Sequence, residues 1–145
     1  MVLKNRRAYH NYEIIKTFEA GIELTGSEIK SLREGGGSIA EAYARAYKNE
    51  IYLESMNIPV YKQASYNNHE PLRRRKLLLN RSEITEIERA LDRKGLTLVP
   101  LKMYLHKGWA KINIALARGK KVHDKRQSDA KRDAQRQIDR ALKNH

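Results

Sequence analysis

Apolar and polar positions alternate along several stretches of the chain with the period of β-strands. From Ala8 onward, Tyr12, Ile14, Lys16 and Phe18 fall on one face, with Glu13, Ile15 and Thr17 on the other. Ile22 and Leu24 resume the alternation after Ala20-Gly21, where a bulge or bend is expected. Ser27-Glu28-Ile29-Lys30 opens a short helix: Ser27 caps it, Ile29 and Leu32 at i, i+3 give it a buried edge, and Gly35-Gly36-Gly37 ends it. Ile39 to Tyr47 and Glu50 to Ile58 read as two strands joined in a hairpin at Lys48-Asn49. Pro59 to Pro71 reads as an exposed loop.

Leu72 to Leu79 and Ser82 to Lys94 read as helices. In the second, Ile84, Ile87, Ala90 and Leu91 share a face, and Gly95 stops it. Leu96 to Leu105 and Trp109 to Ala117 alternate again about a turn at His106-Lys107-Gly108. The pattern is mainly β with short helices, an α+β class. About six short strands in antiparallel order around a small core predict an OB-like antiparallel six-stranded barrel with two to three flanking helices. A parallel sheet would need helices between most strands. Barrels of the OB type often bind nucleic acid on one face.

The C-terminal stretch changes the picture. From Arg118 to His145 it holds ten Lys and Arg against four Asp, a net charge of +6, and after Val122 only Ile138 and Leu142 are large aliphatics. Such a segment has no core of its own. Residues 1–120 are therefore expected to form the barrel, and 121–145 a basic tail that is disordered when free and helical on a partner. Over all 145 residues, 30 Lys and Arg against 17 Asp and Glu give +13, which points to a polyanionic partner, RNA first. No basic helix carries the broad apolar face of a membrane-surface helix, and no apolar run is long enough to span a bilayer. The first residues lack the apolar core of a signal peptide. A cytoplasmic protein is the expectation.

Catalytic signatures are missing. The chain has no cysteine, no Walker loop, no GxSxG and no HExxH, so no enzyme is expected. No two histidines sit at i, i+4 with a carboxylate, so neither a metal nor another cofactor is expected. Arg73-Arg74-Arg75-Lys76 is the strongest phosphate-binding candidate within the barrel, with Leu77-Leu78-Leu79 expected to anchor it as a helix and turn the cations outward. A solvated helix face is the plain alternative. His10 lies in a polar, basic cluster where an imidazole could stack on a base.

The ordered set of motifs resembles the SsrA-binding protein family, the partners of transfer-messenger RNA. It comprises Asn5-Arg6-Arg7-Ala8, His10-Asn11-Tyr12, Phe18-Glu19-Ala20-Gly21, Gly26 to Arg33, Asn57-Ile58-Pro59, Asn68-His69-Glu70-Pro71, Arg73 to Asn80, Pro100-Leu101 and Gly119 to Arg126. The resemblance implies an OB-like barrel that binds the tRNA-like domain of transfer-messenger RNA and brings it to stalled ribosomes for trans-translation. It also implies a tail that folds in the messenger channel near the 16S rRNA decoding centre. Elongation factor Tu and alanyl-tRNA synthetase are implied as further partners through the RNA. By resemblance the RNA-contact positions are Asn5, His10, Glu19, Leu78, Asn80 and Lys121, and the decoding-site signature is His123, Asp124, Lys125 and Arg126. Arg6, Arg7, Arg73, Arg75, Lys76 and Lys120 complete the expected RNA-binding set. The alternative reading is a basic OB-type protein with general affinity for RNA or the ribosome.

Overall fold

A computed structural model describes residues 1–63, 68–92, 95–120 and 134–138. The elements run β1 (Val2–Lys4), α1 (Arg6–Asn11), β2 (Tyr12–Ile22), α2 (Gly26–Arg33), β3 (Tyr43–Tyr47), β4 (Glu50–Glu54), β5 (Arg75–Leu78), α3 (Arg81–Leu91), β6 (Leu96–His106) and β7 (Trp109–Gly119). All strand pairings are antiparallel. β6 pairs with β3, β3 with β4, β4 with β5, β5 with β2, β2 with β7, and β7 back with β6. The ring therefore closes as a six-stranded barrel, as expected, with β1 added outside on β6. Two seams are short: β3 meets β6 only at Ala44↔Leu98, and β5 meets β2 only at Gly21↔Leu78 and Ile22↔Leu77.

The two hairpins follow from turn chemistry. Lys48 and Asn49 at the β3–β4 turn have φ of 47° and 62°, and Lys107 and Gly108 at the β6–β7 turn have φ of 48° and 81°. Two successive left-handed residues match the twist of the flanking strands. α2 and α3 each begin with a full capping box, Thr25 with Glu28 and Asn80 with Glu83. The α2 cap is thus Thr25, not Ser27. Ser27 is buried instead, its hydroxyl 2.9 Å from His69 Nδ1, while His69 Nε2 lies 2.8 Å from the Ile58 carbonyl. A neutral ring must therefore carry its proton on Nε2 and accept from Ser27.

Two β-bulges explain a feature that simple alternation obscures. Pairing slips between Ile14 and Lys16 in β2 and between Pro100 and Lys102 in β6. Each slip exchanges the faces of the strand. Phe18, Ala20 and Ile22 enter the barrel interior, whereas Tyr12 and Ile14 join a second cluster outside it with Ala8, Val99, Leu101, Ala115 and Ala117. The bulge expected at Ala20-Gly21 lies six residues earlier, at Ile15.

Other expectations need correction. The stretch from Ala8 to Asn11 is helical, because α1 lays Ala8 onto the outer face of the sheet. Ile39 and Ala42 are buried, but in the approach to β3, not in a strand. Leu72 to Leu79 is not a helix: Arg75 and Leu77 point inward and Lys76 and Leu78 outward, the period of a strand. A short run of leucines fits either element by composition alone.

Candidate nucleic-acid interface

α1 covers only part of the outer face of the long β6–β7–β2 portion of the barrel. Beyond it, strand register places outward side chains in rows. Lys4, Lys102, Asn113 and Glu19 form one row across β1, β6, β7 and β2. Val2, Tyr104, Lys111, Gly21 and Leu78 form the next, reaching β5. His106 and Trp109 close the hairpin beyond them. The face is basic, and its exposed apolar groups are Val2, Leu78 and Trp109. Cations beside aromatic and apolar surface are what phosphates and bases need from a protein.

Glu19, anomalous on such a face by charge, has a defined role in the geometry. The Tyr104 hydroxyl donates to its Oε1 at 2.9 Å. That bond, with some burial and the carboxylate charge itself, raises the Tyr104 phenol above its ordinary pKa. Lys102 Nζ lies 5.7 Å from the Tyr104 ring. One carboxylate oxygen is thus held by the Tyr104 hydroxyl, on a face that also carries Lys102 and Lys111, and the second oxygen can accept from a base amino group or a ribose hydroxyl.

The cationic run at Arg73 to Lys76 behaves differently from its expected outward array. Arg75 is fully buried, contrary to the expectation that it binds RNA. Its Nε donates to Glu28 Oε2, and its other nitrogens donate to the carbonyls of Met56 (2.7 Å) and Pro71 (3.1 Å). Arg73 donates to Glu28 Oε1 at 2.6 Å. Arg74 pairs with Glu54 at 2.7 Å and lies over the rings of Tyr47 and Tyr52, at 5.2 and 5.4 Å. Lys76 stands 3.9 Å from Glu50. These partners fix the run onto α2 and the β3–β4 hairpin. Burial alone would raise the Glu28 carboxyl, but hydrogen bonds from Arg73, the Thr25 amide and Arg75, with the Arg75 charge, outweigh it and hold the pKa at about 2.

The remaining expected residues lie in separate places. Glu19 and Leu78 lie on the bare face. Asn5, Arg6, Arg7, His10 and Lys120 gather around α1. Asn5 is buried there, its Nδ2 donating to Pro100 O at 2.9 Å. Arg6 and Arg7 are exposed, with Arg7 3.4 Å from Glu41. His10 is half-buried, and Lys120 donates to Tyr9 O at 3.0 Å. Asn80 caps α3, its Oδ1 accepting from the Glu83 amide at 2.9 Å. Lys121 and the signature His123, Asp124, Lys125 and Arg126 lie outside the described residues, as does most of the tail; residues 134–138 are helical and exposed.

Lys4, Lys102, Tyr104, Trp109 and Lys111 were not singled out by motif. Their signal is weak but present: Lys102, Tyr104, Trp109 and Lys111 alternate with the buried Met103, Ala110 and Ile112, and Lys4 follows the half-buried Leu3. Among the described residues no cluster could hold a metal, and no helix is long and apolar enough to cross a membrane.

The SmpB protein family model matches residues 2–144. An SsrA-binding protein of Deinococcus radiodurans is 54% identical over 137 residues, covering 94% of this chain and 96% of its own. One from Allorhizobium ampelinum is 56% identical, covering 99% and 91%. A solved structure described as "tmRNA-SmpB: a journey to the center of the bacterial ribosome" superimposes with a TM-score of 0.69 at 50% identity, covering 83% of this chain and 85% of that one.

Proposed function

We propose, since the chain belongs to the SmpB protein family, that it is an RNA-binding adaptor of ribosome rescue. It binds the tRNA-like domain of transfer-messenger RNA and delivers that RNA to stalled ribosomes, where the incomplete polypeptide is tagged and the ribosome released. The observation that carries this reading is the extent of the match, residues 2–144, which takes in barrel and tail together. The basic face of β6, β7 and β2 supports it physically: fixed cations, an oriented carboxylate and exposed apolar groups suit a folded RNA better than a random polyanion.

The chain catalyses nothing in this reading and acts in the cytoplasm, where its RNA partners are. The barrel of residues 1–120 holds transfer-messenger RNA. The tail of residues 121–145 enters the messenger channel and folds near the 16S rRNA decoding centre, with His123, Asp124, Lys125 and Arg126 at that centre. Elongation factor Tu and alanyl-tRNA synthetase reach the complex through the RNA. Replacing Asp124, Lys125 and Arg126 together with Ala tests the division of labour. Rescue of stalled ribosomes in a reconstituted translation reaction should be lost, with RNA binding and thermal stability kept. An equal loss of RNA affinity would reduce the tail to an electrostatic arm.

A further inference from the structure

Trp109 is the single tryptophan of the chain and is 71% exposed. An indole left that open carries a large unused apolar area. It follows the two left-handed residues Lys107 and Gly108, so a tight turn holds its backbone. Its neighbours on the outer face complete a recess. Gly21 pairs with Lys111 on one side and Leu78 on the other, and without a side chain it leaves a gap between them. Leu78 leans over that gap: a Cβ built on Gly21 would meet Leu78 Cβ at 3.3 Å and Cδ1 at 3.4 Å. Trp109 and Leu78 both border the resulting cleft of about 380 Å³, with Gly21, Leu24, Ala110 and Lys111.

We propose that this cleft takes one unpaired nucleobase, stacked on the Trp109 ring and packed against Leu78, with Lys111 beside the phosphate. The inference rests on the RNA-binding reading and names a subsite within it. The occupant follows from the lining: Leu24, Ile29, Leu78, Trp109 and Ala110 make the cleft largely apolar, while Lys111 brings a cation to its border and Glu23 an acceptor for a base amino group. A flat apolar ring joined to an anion meets both requirements. The base must be unpaired, because a base inside a duplex has both faces stacked and cannot enter. Stacking is tolerant of base identity, so the cleft distinguishes exposed loop bases from duplex rather than one base from another.

Because Trp109 is the sole tryptophan, its emission reports the site directly. The test titrates the full chain with the tRNA-like domain of transfer-messenger RNA and, separately, with a blunt RNA duplex of equal length. Emission and filter binding are read together. The expected result is strong quenching by the folded RNA at saturation and little quenching by the duplex. Trp109→Ala should weaken binding of the folded RNA on the order of 10- to 100-fold, with an unchanged salt slope because no cation is lost. Trp109→Phe should restore most of the affinity, and the melting temperature should be the same in all three proteins. Tight binding with unaltered emission, or wild-type affinity in Trp109→Ala, would overturn the stacking cleft and leave the RNA reading standing. Failure of the wild-type chain to bind either RNA would overturn both.

Discussion

Arg75 Nε donates to Glu28 Oε2, with both side chains withdrawn completely from water and the two residues 47 positions apart in the chain. The pair joins α2 to β5, and the arginine also gathers the carbonyls of Met56 and Pro71. It places a strong mutual dependence inside a run of cations whose other members are at least partly exposed.

Arg75→Ala should therefore destabilise the fold by about 3–5 kcal/mol, because it leaves the buried Oε2 of a charged Glu28 and the carbonyls of Met56 and Pro71 without their donor, with only the half-exposed Arg73 and the Thr25 amide still on the carboxylate. Arg74→Ala, which removes a partly exposed pair with Glu54, should cost less than about 1 kcal/mol. Urea unfolding of the two variants measures the contrast. Equal, small losses would mean that the buried pair does not tie the helix to the strand.

Acid should act through the same carboxylate. The folded pKa of Glu28, about 2, lies below its ordinary 4.5, so the contribution is fully present above pH 4.5 and is lost as the pH falls toward 2. The difference is worth on the order of 3 kcal/mol. Replacing both partners, as Glu28→Gln with Arg75→Met, removes the titration without leaving a buried charge unpaired. Stability of the double variant should fall less steeply across that window than stability of the parent, as followed by urea midpoints at stepped pH.

Asn80 allows stability and recognition to be separated. Its Oδ1 accepts from the Glu83 amide and from the Ser82 hydroxyl, while its Nδ2 has no partner among the described residues. Asn80→Ala should lose the helix cap, at about 0.5–2 kcal/mol. Asn80→Ser should keep the cap yet lose the amide donor. Weaker RNA binding by the serine variant at unchanged melting temperature would assign Nδ2 to the RNA, and unchanged affinity would restrict Asn80 to capping.

The bare outer face should respond as a phosphate contact. Lys111→Ala should weaken binding to all RNAs alike and lower the slope of log affinity against log salt by about 1. Lys102→Ala should do the same if its ammonium reaches the backbone. Affinities across a salt series check both, and a slope that stays constant in each would move the RNA away from β6 and β7.

The closed barrel, both hairpins and the long α3 were legible because period, turn residues and capping residues agree locally. What was not legible depends on distant partners. Arg75 reads as one more surface cation until Glu28, 47 residues away, is folded beside it. β5 reads as a helix because Leu77, Leu78 and Leu79 hide the strand period, and its inward face is set by pairing with Ile51 and Leu53. α1 reads as the start of a strand until Val99, Leu101, Ala115 and Ala117 give Ala8 a surface to cover. Motif resemblance pointed to Glu19 and Leu78, but the cations on the same face, Lys102 and Lys111, come together with them only when register aligns the strands.

The central claim is recognition of one folded RNA rather than attraction to RNA in general. It is tested most directly by titrating the chain with the tRNA-like domain of transfer-messenger RNA in the presence of excess elongator tRNA, at two salt concentrations. The account predicts that binding survives both the competitor and the higher salt. Binding that collapses under both would contradict it, and would leave a basic barrel with only general affinity for RNA.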